Sequence, residues 1–195
     1  MKLFCLVLAI CSFTMISCGD IMSESEKPQE VVNSNYLYGN NAFVFPVLTK
    51  NAKTYINEWG AYEDFESEAK NINGNTIEVL RDKSERLISR IDSLTKKFPD
   101  TLFTQSIVSR VMVAKTRASL LRQEVNKGEI DSMKLQNYLD EMNIATKNLI
   151  IQINEKFQKD DIDFQQKEDE KKELEKQKRF LDSVYKSELQ DKSPN

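Results

Sequence analysis

The 195-residue sequence contains no histidine. Imidazole is therefore absent as general base, as orienter of a nucleophile and as metal ligand, which removes the commonest catalytic apparatus. Di-iron helical bundles built on Glu-x-x-His are excluded for the same reason. Glycine and proline number only 5 and 4, too few for the many special turns of an all-β sandwich or a doubly wound α/β fold. There is no Gly-rich phosphate loop, no Gly-x-Ser-x-Gly and no metal-spaced Cys/His set. Asp160, Asp161 and Asp163 lack the turn glycine and the distal glutamate of a calcium loop, and read as a solvated acidic stretch. Carboxylate pairs such as Glu63-Asp64 are too abundant for any one to be singled out. The chain is expected to use no cofactor and no metal, and not to be an enzyme. With 30% charged and 39% hydrophobic residues, it has the composition of a charged α-protein and not of a polytopic membrane protein.

Cysteine is scarce and confined. Cys5, Cys11 and Cys18 all lie in the first eighteen residues. Lys2 is followed by an uncharged run, Leu3 to Ile16, whose length suits the apolar core of an export signal and is too short to cross the hydrocarbon layer as a helix. The run closes on Met15-Ile16-Ser17-Cys18, with Gly19 and Asp20 after it. This segment resembles the lipobox of bacterial lipoproteins, with Met15 where the family usually has Leu. Cys11 does not fit, because Ile10 before it is not small. The plainer alternatives are an ordinary cleaved signal or an N-terminal anchor helix, but no small-x-small cleavage site lies nearby. The resemblance implies that residues 1–17 are removed and that the Cys18 thiol is acylated, anchoring the chain to a membrane by lipid. It also implies, because Gly19 and not Asp follows the cysteine, an outer-membrane destination, with the face undecided. The mature chain would hold Cys18 as its only thiol, so no internal disulfide is expected.

Residues 18–46 are expected to hold the lipidated cysteine, a flexible tether and an aromatic loop. Residues 19 to about 35 have no helical period and are rich in Ser, Glu and Asn. Tyr36, Tyr38, Phe43 and Phe45 then surround a Gly-Asn-Asn turn signal ahead of Pro46. These four rings either cap one end of the domain or, if exposed, offer a partner-binding patch.

Residues 47–157 predict an all-α, up-down antiparallel bundle of three to four long helices. In the first segment Leu48, Ala52, Tyr55, Trp59 and Tyr62 recur at helical spacing and continue through Phe65, Ala69 and Ile72 to a stop at Asn73-Gly74. The second segment, capped by Asn75 or Thr76, carries Ile77, Leu80, Ser84, Leu87, Ile91, Leu94 and Phe98, the strictest repeat in the chain. Pro99 ends it. The third follows an N-cap at Asp100 or Thr101 and carries Ile107, Val111, Ala114, Ala118, Leu121 and Val125. Gly128 closes it. The fourth begins at Asp131, with Ile130 and Leu135 as a hydrophobic staple, and runs through Tyr138, Met142, Ala145, Leu149 and Ile153 to Phe157. Short turns between long helices force antiparallel neighbours.

Residues 158–195 change again. Apolar residues are sparse until Leu174, Leu181, Val184 and Leu189, and Glu168 with Lys172 and Glu175 with Arg179 form favourable i,i+4 pairs. This predicts a solvated helical extension with a disordered tail toward Ser193-Pro194-Asn195. A coiled-coil strand seeking a partner is the alternative.

Charge is segregated along the chain. Residues 19–75 are net −5, residues 76–127 net +5 and residues 128–195 net −4. The basic middle segment holds Arg81, Arg86, Arg90, Arg110, Arg117 and Arg122, six of the seven arginines. Arginine suits bidentate phosphate or carboxylate contacts, so these six are the candidate anion site for a glycan or a lipid headgroup. All but Arg86 fall at positions flanking the apolar seam, where neighbouring helices exchange charge, with Glu58 and Glu63 at the matching positions of the first segment. No nucleic-acid partner is expected from an exported, net-negative chain. The sequence as a whole points to a lipid-anchored cell-envelope bundle with a structural or protein-interaction role and a protein partner in the envelope.

Overall fold

The computed structural model describes residues 35–191. The signal segment, Cys18, nearly all of the tether and Ser193-Pro194-Asn195 lie outside the described residues. The protein is all-α: five α-helices and one 3₁₀ turn, with no strand among the described residues. We label the helices α1 (Lys50–Ile56), α2 (Gly60–Lys70), α3 (Ile77–Lys96), α4 (Gln105–Val125) and α5 (Ser132–Asp191). Helices α2 to α5 follow one another through short turns and pack as antiparallel neighbours, α3 against α2 and α4, and α4 against α5.

The stripes of α3 and α4 are buried as their spacing requires. Ile77, Leu80, Ser84, Leu87, Ile91 and Leu94 line one side of the core and Ile107, Val111, Ala114, Ala118, Leu121 and Val125 another. Each large side chain removed from water in this way stabilises the fold by about 1.5–3 kcal/mol. Ser84, the one hydroxyl in its row, satisfies its Oγ on the Arg81 carbonyl at 2.8 Å.

The first apolar segment is not one helix but two. The chain tightens after Ile56, where Glu58 N donates to Tyr55 O at 3.3 Å and Trp59 N to Ile56 O at 2.7 Å. These i→i+3 bonds close α1 in a 3₁₀ manner, and α2 restarts at Gly60. The phase shifts accordingly. Tyr55, expected in the stripe, is 40% exposed, and Ile56 is buried in its stead. Trp59 turns its indole into the core at the break, 5.7 Å from Tyr62 and 4.7 Å from Phe98 by ring centroid.

The start of α4 is also later than its sequence signal. Asp100 and Thr101 belong to the 3₁₀ turn Asp100–Leu102, and the N-cap is Thr104, whose Oγ1 accepts from Ile107 N at 3.3 Å. The turn exists because Leu102 is fully buried; sinking that side chain takes up the residues that would otherwise begin the helix.

Two turns close the end of the bundle opposite the Pro99 turn. Gly74 has φ +70° and Gly39, on the loop beside it, +90°, both in the region that glycine occupies without Cβ strain. At the other turn Glu124 is buried, its Oε2 2.6 Å from Lys127 Nζ and its Oε1 accepting from Asp131 N at 3.1 Å. Asp131 in turn caps α5 by accepting from Lys134 N at 3.0 Å.

The charged extension is not a separate element. It continues the fourth bundle helix without interruption, giving a single helix of 60 residues, about 90 Å long at 1.5 Å per residue. Leu135 to Phe157 are its bundle part, and every described residue beyond Phe157 is exposed.

Candidate functional site

The aromatic loop lies across the closed end of the bundle. Tyr38 pairs its backbone with the α2–α3 turn, Tyr38 N donating to Asn75 O at 2.9 Å and Gly74 N to Tyr38 O at 2.7 Å. Its ring is buried and its hydroxyl lies 3.1 Å from Ser132 Oγ. Gly39 N donates to Gln136 Oε1 at 3.0 Å and Asn40 N to Asn73 Oδ1 at 3.0 Å. Phe43 and Phe45 meet edge to face at 4.8 Å and are half-buried, with Lys70 over the Phe45 ring. Tyr36 alone of the four is substantially exposed, packed edge to face on Tyr38 at 4.8 Å. Tyr38 is therefore a structural ring, buried against the closed end of the bundle.

Past Phe45 the strand-like strap reaches α5 again. Asn154 clasps it from both sides, accepting from Thr49 N at 2.9 Å and donating to Val47 O at 3.0 Å. Asn51 then donates to the Asp161 carboxylate at 2.8 Å, and Tyr55 stacks on Phe157 at 4.6 Å. Lys156 pairs with Asp160 and lies 4.5 Å from the Phe157 ring centre. Gln136, Asn143 and Asn154 do not stand out in the sequence, because single amides carry no periodicity, and Asn73 reads there only as part of a helix stop.

Four of the six arginines of the basic hairpin pair with carboxylates of the same chain. Arg90 lies 3.0 Å from Asp64 and Arg86 3.3 Å from Glu68, which also has Lys83 at 3.9 Å. Arg122 pairs with Glu85 at 3.1 Å, Arg117 with Glu141 at 2.9 Å and Lys115 with Asp92 at 2.7 Å. Arg81 donates its Nε–H to the Val125 carbonyl at 2.8 Å, a cation on the negative end of α4. Arg110 is exposed and has no carboxylate partner among the described residues. The acidic partners on the first segment are Asp64 and Glu68, not Glu58 and Glu63. Helix α2 turns Tyr62, Phe65 and Ala69 inward, with Asp64 and Glu68 beside Arg90 and Arg86, and Glu58 lies in the turn between α1 and α2. An anionic ligand binding Arg86, Arg90, Arg117 or Arg122 would compete with the carboxylate that each of them already holds.

Beneath that surface, Trp59 Nε1 and Tyr62 OH are buried without a hydrogen-bond partner among the described residues. Burial, with a smaller push from Glu66, raises the Tyr62 phenol far above its ordinary value, so it stays neutral. Among the described residues no group of three or more acidic, cysteine or histidine side chains is placed to hold a metal ion, and no helix is long and apolar enough to cross a membrane.

The remaining surface is the part of α5 beyond Phe157. Ile162, Phe164, Leu174, Phe180, Leu181, Val184, Tyr185 and Leu189 stand exposed on it. Arg179 lies 3.6 Å from Glu175 as its spacing predicts, whereas Lys172 sits 3.4 Å from Asp169 in place of the expected Glu168. Phe164, Phe180 and Tyr185 were not singled out in the sequence; continuing the bundle's heptad through Phe157 would have drawn attention to Phe164 and Tyr185. Comparisons with protein-family models, curated proteins and solved structures return no match for this chain.

Proposed function

We propose that this chain is a lipid-anchored protein of the cell envelope, in the outer membrane, whose bundle serves a structural or protein-interaction role without catalysis of its own. The observation that carries the interaction role is the part of α5 beyond Phe157, exposed throughout yet bearing eight large apolar side chains. A solvated helix has no need of rings such as Phe164, Phe180 and Tyr185; exposed apolar groups of this kind on one element mark an interaction surface. The internal pairing of the arginines favours a protein partner over an anionic glycan or lipid headgroup. The anchor rests on Met15-Ile16-Ser17-Cys18 and Gly19. Replacing Cys18 by Ser is expected to abolish incorporation of labelled fatty acid and partition with membranes. Labelling that persists in Cys18→Ser overturns the anchor, and crosslinking in the native envelope identifies what is attached to the helix.

A further inference from the structure

The apolar residues at the tip of α5 keep the phase of its buried face. With Ile153 at heptad position a, the bundle part places Leu139, Thr146 and Ile153 at a, Leu135, Met142 and Leu149 at d, and Asn143, Ile150 and Phe157 at e, all of them buried. Carried on without an insertion, the same register puts Leu174 and Leu181 at a, Val184 at d and Tyr185 at e, all exposed. Asp160, Asp163, Lys167 and Glu170 occupy the a and d positions between, and Glu188 and Asp191 those that follow. The result is a bounded apolar seam of about two heptads, separated from the bundle by charged positions that no apolar neighbour would cover.

We propose that residues 173–185 are a self-association segment, covered by a second copy of this chain lying parallel and in register. This deepens the interaction role proposed above by naming the partner, and rests on it. Three features argue for a like copy. Residues 173–185 carry three acidic and three basic side chains, so identical segments do not repel through net charge. Parallel pairing sets each g position against e of the next heptad, which brings Glu173 to Lys178 of the second copy on both edges of the seam. Glu173 also lies 3.5 Å from Lys176 in its own helix, and one carboxylate accepts both cations. The same rule brings Phe180 to Tyr185 of the second copy, ring to ring. Gln177, the polar d residue between Leu174 and Leu181, meets its own equivalent, and an amide is both donor and acceptor to itself. The antiparallel alternative that overlaps the apolar positions sets Lys178 against Lys178, a like-charge contact.

The test uses the full chain with Cys5, Cys11 and Cys18 replaced by Ser, so that an introduced thiol stands alone. In this background Val184→Cys is expected to form a disulfide-linked dimer on mild oxidation, at least tenfold more readily than Lys176→Cys on the outer face. Adding Leu181→Asp is expected to lower the Val184→Cys yield at least tenfold while leaving the melting transition of the bundle in place, because Leu181 touches none of its core. Equal yields at 176 and 184, a yield indifferent to Leu181→Asp, or a monomer mass for the Val184→Cys chain before oxidation each overturn the proposal. Since Cys18 is absent, these outcomes are independent of acylation, and the fatty-acid labelling experiment stands or falls separately.

Discussion

Asn73 and Asn143, seventy residues apart, exchange two side-chain hydrogen bonds: Asn73 Nδ2 donates to Asn143 Oδ1 at 3.0 Å and Asn143 Nδ2 to Asn73 Oδ1 at 2.9 Å. Asn143 is fully buried. The pair ties the α2–α3 turn to α5, and Asn73 Oδ1 also receives the backbone N–H of Asn40. Loop, turn and long helix thus meet at one amide.

Asn143→Ala leaves the Asn73 amide without its partner in a half-buried place. An unpaired buried polar group costs about 1–3 kcal/mol, and for a domain of this size each 1 kcal/mol lowers Tm by about 2–4 °C. The double variant Asn73→Ala/Asn143→Ala is expected to cost less than the two single losses added, since each single change already forfeits the shared bonds. Thermal melts of the three variants decide it; strict additivity would show that the amides act independently.

Leu87 is completely buried at the centre of the strictest stripe. Leu87→Asp puts a carboxylate where no cation reaches, one of the few single changes that costs most of a domain's stability. Loss of the cooperative helical signal in circular dichroism at room temperature is the expected outcome. A melt like the parent's would contradict the register of α3.

The cap of α5 makes stability depend on acid. The Asp131 carboxyl is held below its ordinary value of 3.8, chiefly by the backbone N–H of Lys134. A carboxyl whose folded value is depressed contributes stability that is present above its unfolded value and lost as pH falls through the folded one. The Tm of the parent is therefore expected to drop as pH goes below 4. Asp131→Asn keeps a capping side chain and removes the titration, so its Tm should fall less over the same acid range. Parallel Tm-against-pH curves for the two proteins would rule out Asp131 as a contributor.

Much of this architecture was legible in the spacing of apolar residues. Ile77 to Leu94, Ile107 to Val125 and, apart from the half-buried Tyr138 whose place Leu139 takes, Leu135 to Phe157 are buried where their repeats put them, because burying one face of each helix is the main source of stability and leaves a periodic trace. What periodicity cannot record is where a stripe changes phase. Tyr55 and Trp59 keep a helical spacing across a break made by backbone tightening, and Ile56 is buried where the spacing puts Tyr55. Asp100 and Thr101 are good caps by type; the burial of Leu102 delayed the helix to Thr104. Asn143 and Asn154 leave no signal, since an amide at a helical position looks the same whether it faces water or a loop, and Asn73 shows in the sequence as a turn residue but not as a partner of α5. The placement of Tyr38 was open from sequence and was decided by its backbone pairing with Asn75.

From Ser132 to Asp191 the helix contains neither glycine nor proline, so nothing in its backbone provides a hinge. It therefore works mechanically as a lever whose short arm is clamped in the bundle. A sideways load on Leu189 becomes a turning moment at the point where the helix leaves its neighbours. The first bonds to carry that moment are those of Asn51 with Asp161 and Asn154 with the strap, together with the Tyr55–Phe157 stack. Helix α1, a short element that contributes little to the core, is placed where a brace against leverage is wanted.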